Sequence, residues 1–397
     1  MEERKNDRKG FLLKLISYIL VAGLASFATL YMASRNSMGS RYNKLTELEA
    51  VIDQMYIGQT DKTQLEDAAA SAMVAATGDR WSYYIPASQL ESVQAQKANA
   101  YVGIGVTIEL LEDDQGFAVQ KIEPDSPAQE GGIQPGDIIV AVDGQRVSEI
   151  GTETAQNMVG GKEGTQVTVT VSRDGQELDV TMTRRKIVQA VASGNMIGDS
   201  IGYIQIANFN ERCAEETIRL FDELEGQGAK AMIFDVRFNP GGYKDEMVEV
   251  LDYLLPEGVL FRSEDFTGRT WDDTSDADCK VMPMCVLING ESYSAAEFFA
   301  AALKEYDYAI TVGQPTTGKG YFQNVLELSD GSAVNLSVGK YYTPKGVSLA
   351  EVGGLVPDVT VEVDEETMVQ LYANSVPQEE DVQLQAAVKA MLDVIGE

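Results

Sequence analysis

The 397-residue chain contains no histidine. That absence removes the side chain most often used as a general base near neutral pH, and with it every zinc site built on imidazole. Cysteine is scarce as well. Cys213, Cys279 and Cys285 are the three present, and their spacing matches no metal-binding pattern. Cys279 and Cys285 could pair across a turn, leaving Cys213 over; buried free thiols are the expectation. Basic residues are half as numerous as acidic ones, 31 against 62, for a net charge of −31. Such a balance argues against nucleic acid or an anionic membrane surface as a partner. Low-complexity tracts and long repeats are also missing. What remains, 44% hydrophobic and 23% charged residues, is ordinary globular composition, enough for two or three domains with their own cores.

One long uncharged run lies at the amino terminus, over residues 15–33. As a helix at about 1.5 Å per residue it would reach across one hydrocarbon core. Arg4, Lys5, Arg8, Lys9 and Lys14 precede it. Basic residues on that flank predict a cytoplasmic terminus over 1–10, a single-pass anchor over 11–34, and the remainder outside the cytoplasm at the cell membrane. The small residues Ala25 to Ala28 also permit a cleaved signal peptide.

Residues 35–97 read as helical. "NKLTELEAVIDQMY" sets Leu45, Leu48, Val51, Ile52 and Met55 at helical spacing, and "QLEDAAASAMVAAT" repeats the pattern. "GDRWSYYIPASQLESVQ" follows, with a helix start at Pro86-Ala87-Ser88. From 98 to 186 the period changes to that of strands and turns. Asp143-Gly144 and Asp174-Gly175 mark tight hairpins, and "TETAQNMV" (152–159) is one short helix between strands. "GIQPGDIIVAVDGQ" in this stretch resembles the PDZ signature. The turn Gly103-Ile104-Gly105 would expose N–H groups to a terminal carboxylate, and the strand from Val106 would offer an edge to a peptide. The plain alternative is a tight turn without a ligand.

Residues 187–372 read as α/β. "IGYIQIANF" and "AKAMIFDVRF" are apolar runs flanking the amphipathic "AEETIRLFDELEGQG", a βαβ unit. The second run ends in Asn239-Pro240-Gly241-Gly242, a turn at a strand's carboxyl end with N–H groups free for a ligand. "CVLING" leads to Ser294 and an Ala-rich helix, the way a chain presents a nucleophilic hydroxyl. Without histidine its base must be a carboxylate, Lys, Tyr or Cys. Lys319 lies between two glycines and close to Tyr321 and Phe322, where desolvation would favour the neutral amine; Gln323 could orient it. A solvated loop lysine is the bland alternative.

Together, "NGESYSAAE", "VGQPTTGKGYFQ", "LSDGSAVNLSVGKYYTPKG" and "GGLVPDVTV" resemble, in order, the carboxyl-terminal processing peptidases, or tail-specific proteases. The resemblance runs from about residue 43 to the end. It implies an α/β multi-domain protein with a PDZ domain ahead of a crotonase-like serine protease domain, and a helical segment over 373–397. It also implies Ser294 as nucleophile, Lys319 as base, Gln323 as its orienting partner, and an oxyanion hole from the N–H groups of Ala295 and the Gly241-Gly242 turn. Neither metal nor cofactor is called for. Partners would be polypeptides with exposed apolar carboxyl termini, with a homo-oligomer left open. Tyr293, Thr317 and Phe238 depart from the family pattern around the site, and Ser292 is a rival nucleophile. A tail-binding scaffold with a degenerate protease domain is the second reading.

Overall fold

The computed structural model describes residues 44–111 and 116–397, together with the single position 26. Apart from that position, the stretch expected to anchor the chain, 11–34, lies outside the described residues. Among the described residues no helix is long and apolar enough to cross a membrane. The chain divides into two units, residues 1–72 and 73–397. In the first, residues 44–55 are helical as their spacing predicts, with Leu48 and Met55 exposed.

In the second unit, the region around 98–186 builds a six-stranded antiparallel sheet, five strands in one path and the short Gln145–Arg146 paired with Ile138–Val142 beside it. The order is Val106–Leu110, Phe117–Ile122, Ile138–Val142, Gln166–Arg173, Gln176–Thr183. Strand Gln166–Arg173 buries Val167, Val169 and Val171 and turns its alternate residues outward, as a sheet solvated on one face must. Asp143 and Asp174 take positive φ (46° and 52°) ahead of Gly144 and Gly175, so both Asp-Gly pairs make the hairpins expected of them. Val106–Leu110 is an edge strand. Entry to and exit from this region run side by side, Ala100–Gly103 pairing antiparallel with Arg185–Val188.

The α/β region carries a six-stranded sheet: Ala192–Ile197, Ile201–Ile206, Ala231–Asp235, Met284–Ile288, Ala309–Gly313, Val359–Thr360. Its first pair is antiparallel and the rest are parallel. The central strands are apolar without alternation because both faces are covered. Met232, Phe234, Val286 and Ile288 face helices Cys213–Gly226, Lys244–Leu254 and Ala295–Glu305. Ile233, Cys285 and Leu287 face the carboxyl-terminal helix Val382–Ile395. All three cysteines are free thiols, Cys213 and Cys285 buried.

A second sheet joins Ala333–Tyr342 to Tyr321–Glu327, to Gly258–Asp265 with Thr270–Ser275 beyond it, and to Tyr83–Ile85. The last strand falls in the stretch expected to be helical. It pairs with Ala333–Asn335, so its conformation is set by a partner far along the chain.

Candidate active site

Strands Ala231–Asp235 and Met284–Ile288 run parallel in the sheet, and the loops leaving their carboxyl ends meet. The first loop is pinned by Asn239, whose Nδ2 donates to the Ile206 carbonyl at 2.8 Å and whose Oδ1 accepts the Gly241 N–H at 2.8 Å. Beneath it, Arg237 is buried between Asp235 (2.6 Å) and Asp381 (2.7 Å). Asp381 also accepts two N–H groups at the start of helix Val382–Ile395. A charge-paired strut thus ties the loop to the carboxyl-terminal helix.

The second loop ends in Ser294, which holds φ 59° and ψ −127° ahead of helix Ala295–Glu305. A non-glycine residue at positive φ costs energy and persists only where its surroundings fix it. The surroundings here are specific. The Ser294 N–H donates to Glu297 Oε2 at 2.9 Å, and the Tyr293 N–H donates to the Asn239 carbonyl at 3.1 Å. A Cβ at Gly241 would stand 2.7 Å from Ser294 Cβ and 2.9 Å from the Ala295 nitrogen, so only glycine permits this approach. Ser292 is fully buried, and its hydroxyl donates to the Val236 carbonyl at 2.7 Å. It serves the fold and has no free hydroxyl for attack.

Of the two glycines, Gly241 has its N–H committed to Asn239. The expected pair of glycine donors therefore reduces to Gly242, because the Asx turn at Asn239 consumes the other. No acceptor within the described residues takes the N–H of Gly242 or of Ala295. Ala295 adds the positive end of its helix.

Glu297 joins Ser294 to the lysine loop. The sequence motif assigns it no role. Fully buried, its carboxylate accepts from Thr316 Oγ1 (2.6 Å), the Gly318 N–H (2.6 Å) and the Lys319 N–H (2.8 Å), besides Ser294. Burial pushes its pKa up, and these hydrogen bonds oppose the shift.

Lys319 is lowered to about 8, chiefly by burial; the carboxylates of Glu297 and Asp79 pull it back up. Its Nζ lies 4.5 Å from the centre of the Trp81 ring and 5.6 Å from that of Tyr293. It makes no hydrogen bond to Ser294 Oγ. Nor is Gln323 paired with Lys319 here. The Gln323 amide donates to Ser337 Oγ at 3.0 Å and to the Tyr321 carbonyl at 3.1 Å, because a bulge between Phe322 and Gln323 turns it along strand Ala333–Tyr342. Two cavities are lined by neighbours of the site: one of about 530 Å³ walled by Phe238, Pro240, Tyr293 and Tyr372, another of about 630 Å³ walled by Lys97, Gly242, Phe322 and Gln323.

In the PDZ-like region, Ile104 is buried and Gly105 holds φ +81° with Ser126 Cβ 2.3 Å from where a side chain would begin. Gly103 pairs with Arg185, and Val106 starts the edge strand.

Comparison with known proteins bears on both regions. The family model for peptidase family S41 matches residues 200–361, and that for the PDZ domain matches residues 102–183. The carboxy-terminal processing protease CtpA of Bacillus subtilis (strain 168) is 31% identical over 367 residues, spanning 90% of this chain and 78% of that protein. This chain belongs to peptidase family S41. It is a serine-type peptidase of the carboxy-terminal processing group with a PDZ domain. The carboxyl-terminal-processing protease of Synechocystis sp. (strain ATCC 27184 / PCC 6803 / Kazusa) is 30% identical, covering 81% of this protease and 75% of its own length. The solved structure of an S41-type protein from Bacteroides fragilis NCTC 9343 superposes with a TM-score of 0.55 at 19% identity. It covers 85% of this chain and 93% of that one, which speaks to the fold alone.

Proposed function

We propose that the protease is a membrane-anchored endopeptidase that cleaves extracytoplasmic polypeptides, with Ser294 as nucleophile and Lys319 as general base. The observation that carries this reading is the convergence of three loops: Ser294 against Gly241, with Glu297 binding the Ser294 and Lys319 backbones together. In the proposed reaction the neutral Lys319 amine takes the Ser294 hydroxyl proton as Oγ attacks the scissile carbonyl. The anion that develops is received by the N–H groups of Gly242 and Ala295. The ammonium then protonates the leaving amine, and a water repeats the sequence to release the acyl enzyme. Catalytic hydrogen bonds are commonly loose before substrate binds. A rotation of Lys319 toward Ser294 would complete the set, and Gln323 would orient it through Oε1. The cavities walled by Tyr293 and by Gly242 would offer room for substrate residues next to the scissile bond.

In the same reading the turn Gly103-Ile104-Gly105 and the edge strand from Val106 hold an apolar substrate tail, and the anchor lies over residues 11–34. Tail binding there tethers the substrate or shifts the protease toward its active arrangement. The test is a fluorophosphonate probe on the full chain. It should label Ser294, and Ser294→Ala should abolish both labelling and peptide cleavage. A chain that binds tail peptides yet takes no label would be the scaffold instead. Removal of residues 1–34 should move the protein from the membrane fraction to the soluble one.

A further inference from the structure

We propose that Trp81, from a segment that precedes the PDZ domain in sequence, is a positioning residue for Lys319, holding the amine against the nucleophile turn and keeping water from it. The inference rests on Lys319 being the base. Trp81 is half-buried, and its ring lies 5.5 Å from that of Tyr293, the residue before the nucleophile. The Lys319 ammonium would sit on both rings, within the range of a cation–π contact.

The segment that delivers the ring is fastened on both sides. The Trp81 N–H donates to Asp79 Oδ1 at 3.1 Å, and the Trp81 carbonyl accepts from Asn335 Nδ2 at 3.0 Å. Ser82 Oγ donates to Asp79 Oδ2 and accepts the Ser337 N–H at 2.9 Å. Ser337 is the hydroxyl that takes the Gln323 amide. One short stretch, 79–85, therefore sets the environment of Lys319 and Gln323 together, and strand Tyr83–Ile85 holds it to the sheet.

The ring acts on the amine in two opposed ways. Its π face favours the ammonium, and its bulk excludes water and disfavours it. Burial is the largest influence on Lys319, so water exclusion dominates. The charged groups facing the amine are Glu297 and Asp79, which favour the ammonium, and Arg80 and Lys97, which oppose it. The phenol of Tyr293 completes the surroundings.

The experiment is the pH dependence of kcat and kcat/KM on a short quenched peptide, using the full chain. In Trp81→Ala the acidic limb should move up by about one pH unit toward the ordinary lysine range, with kcat near pH 7 falling about tenfold and recovering at high pH. Trp81→Phe should bring the limb most of the way back. A limb that stays in place in Trp81→Ala, with the rate lowered equally at every pH, overturns the proposal, because a merely structural or substrate-contacting residue would do that. Should Trp81→Ala fail to fold, Trp81→Phe and Ser82→Ala carry the same test, each with a smaller upward shift expected and an unmoved limb as the refutation. If Lys319→Ala itself keeps its activity, the base assignment has failed, and that outcome is separate from the role of Trp81.

Discussion

Ser294 and Lys319 are set by different kinds of structure. The serine is fixed by backbone hydrogen bonds within two neighbouring loops, by a glycine wall at Gly241 and by a strained φ that those contacts impose. The lysine has its backbone held by Glu297, while its amine rests on rings from residues 81 and 293. In the role proposed for Ser294, a nucleophile must hold a fixed direction relative to the oxyanion donors, and main-chain geometry would supply that. In the proposed role a base must be neutral at working pH, and burial is the largest influence that favours the neutral amine of Lys319.

Removing either group gives the largest break. Ser294→Ala and Lys319→Ala should each lower peptide turnover by about 10⁴-fold or more while leaving thermal unfolding near that of the parent, because in the proposed mechanism the two groups act as a unit. A loss of only about tenfold in Lys319→Ala would mean that another base serves the serine. Next comes Gly241→Ala. At φ +86° and 2.7 Å from Ser294 Cβ, a methyl group must displace the nucleophile turn. Turnover should drop about 10²- to 10³-fold, with ~1–3 kcal/mol of stability lost in denaturant unfolding. Normal turnover in that variant would show that the glycine wall is dispensable.

Glu297→Gln probes the one group that touches both sides. An amide would turn N–H donors toward the N–H groups of Ser294 and Lys319 or of Gly318, and buried mismatches of that kind cost ~1–3 kcal/mol each. Turnover should fall about 10- to 100-fold, and the variant should unfold at lower temperature. The pH dependence is smaller and sharper. The Lys319 pKa is depressed to about 8, so the rate should rise with pH through about 8 and level off above it. Below that it should fall about tenfold per unit as the ammonium takes over. A limb near 6 would reject lysine as the base. The smallest effect belongs to Gln323→Ala. Since its amide serves Ser337 and Tyr321 here, kcat should drop about three- to tenfold; a loss as large as that of Lys319→Ala would make it an obligate partner.

Much of the fold was legible where it rests on local rules. The Asp-Gly hairpins, the helix Thr152–Val159 and the apolar central strands follow from positive φ, helical spacing and double-sided burial. The strand Tyr83–Ile85 was read as part of a helical region, since three residues show no usable period and the partner lies near residue 334. Glu297 is not legible as a site residue in the motif that holds Ser294, because an acid in the first turn of a helix is ordinary; its contacts depend on residues 316–319 folding back onto it.

By itself the sequence determined which chemistry was open to this protein. With no histidine, the base for a serine before an Ala-rich helix is left to a carboxylate, Lys, Tyr or Cys, and the ordered motifs point to the family, resemblance to which implies Lys319. The tertiary structure decided which N–H groups are free, that Gly241 is spent on Asn239, that Ser292 is structural, and that a tryptophan from before the PDZ domain covers the lysine. Those outcomes depend on distances between segments far apart in the chain. Local propensity does not carry such distances; they arise only when the two sheets pack and bring residues 81, 241, 294 and 319 to one place.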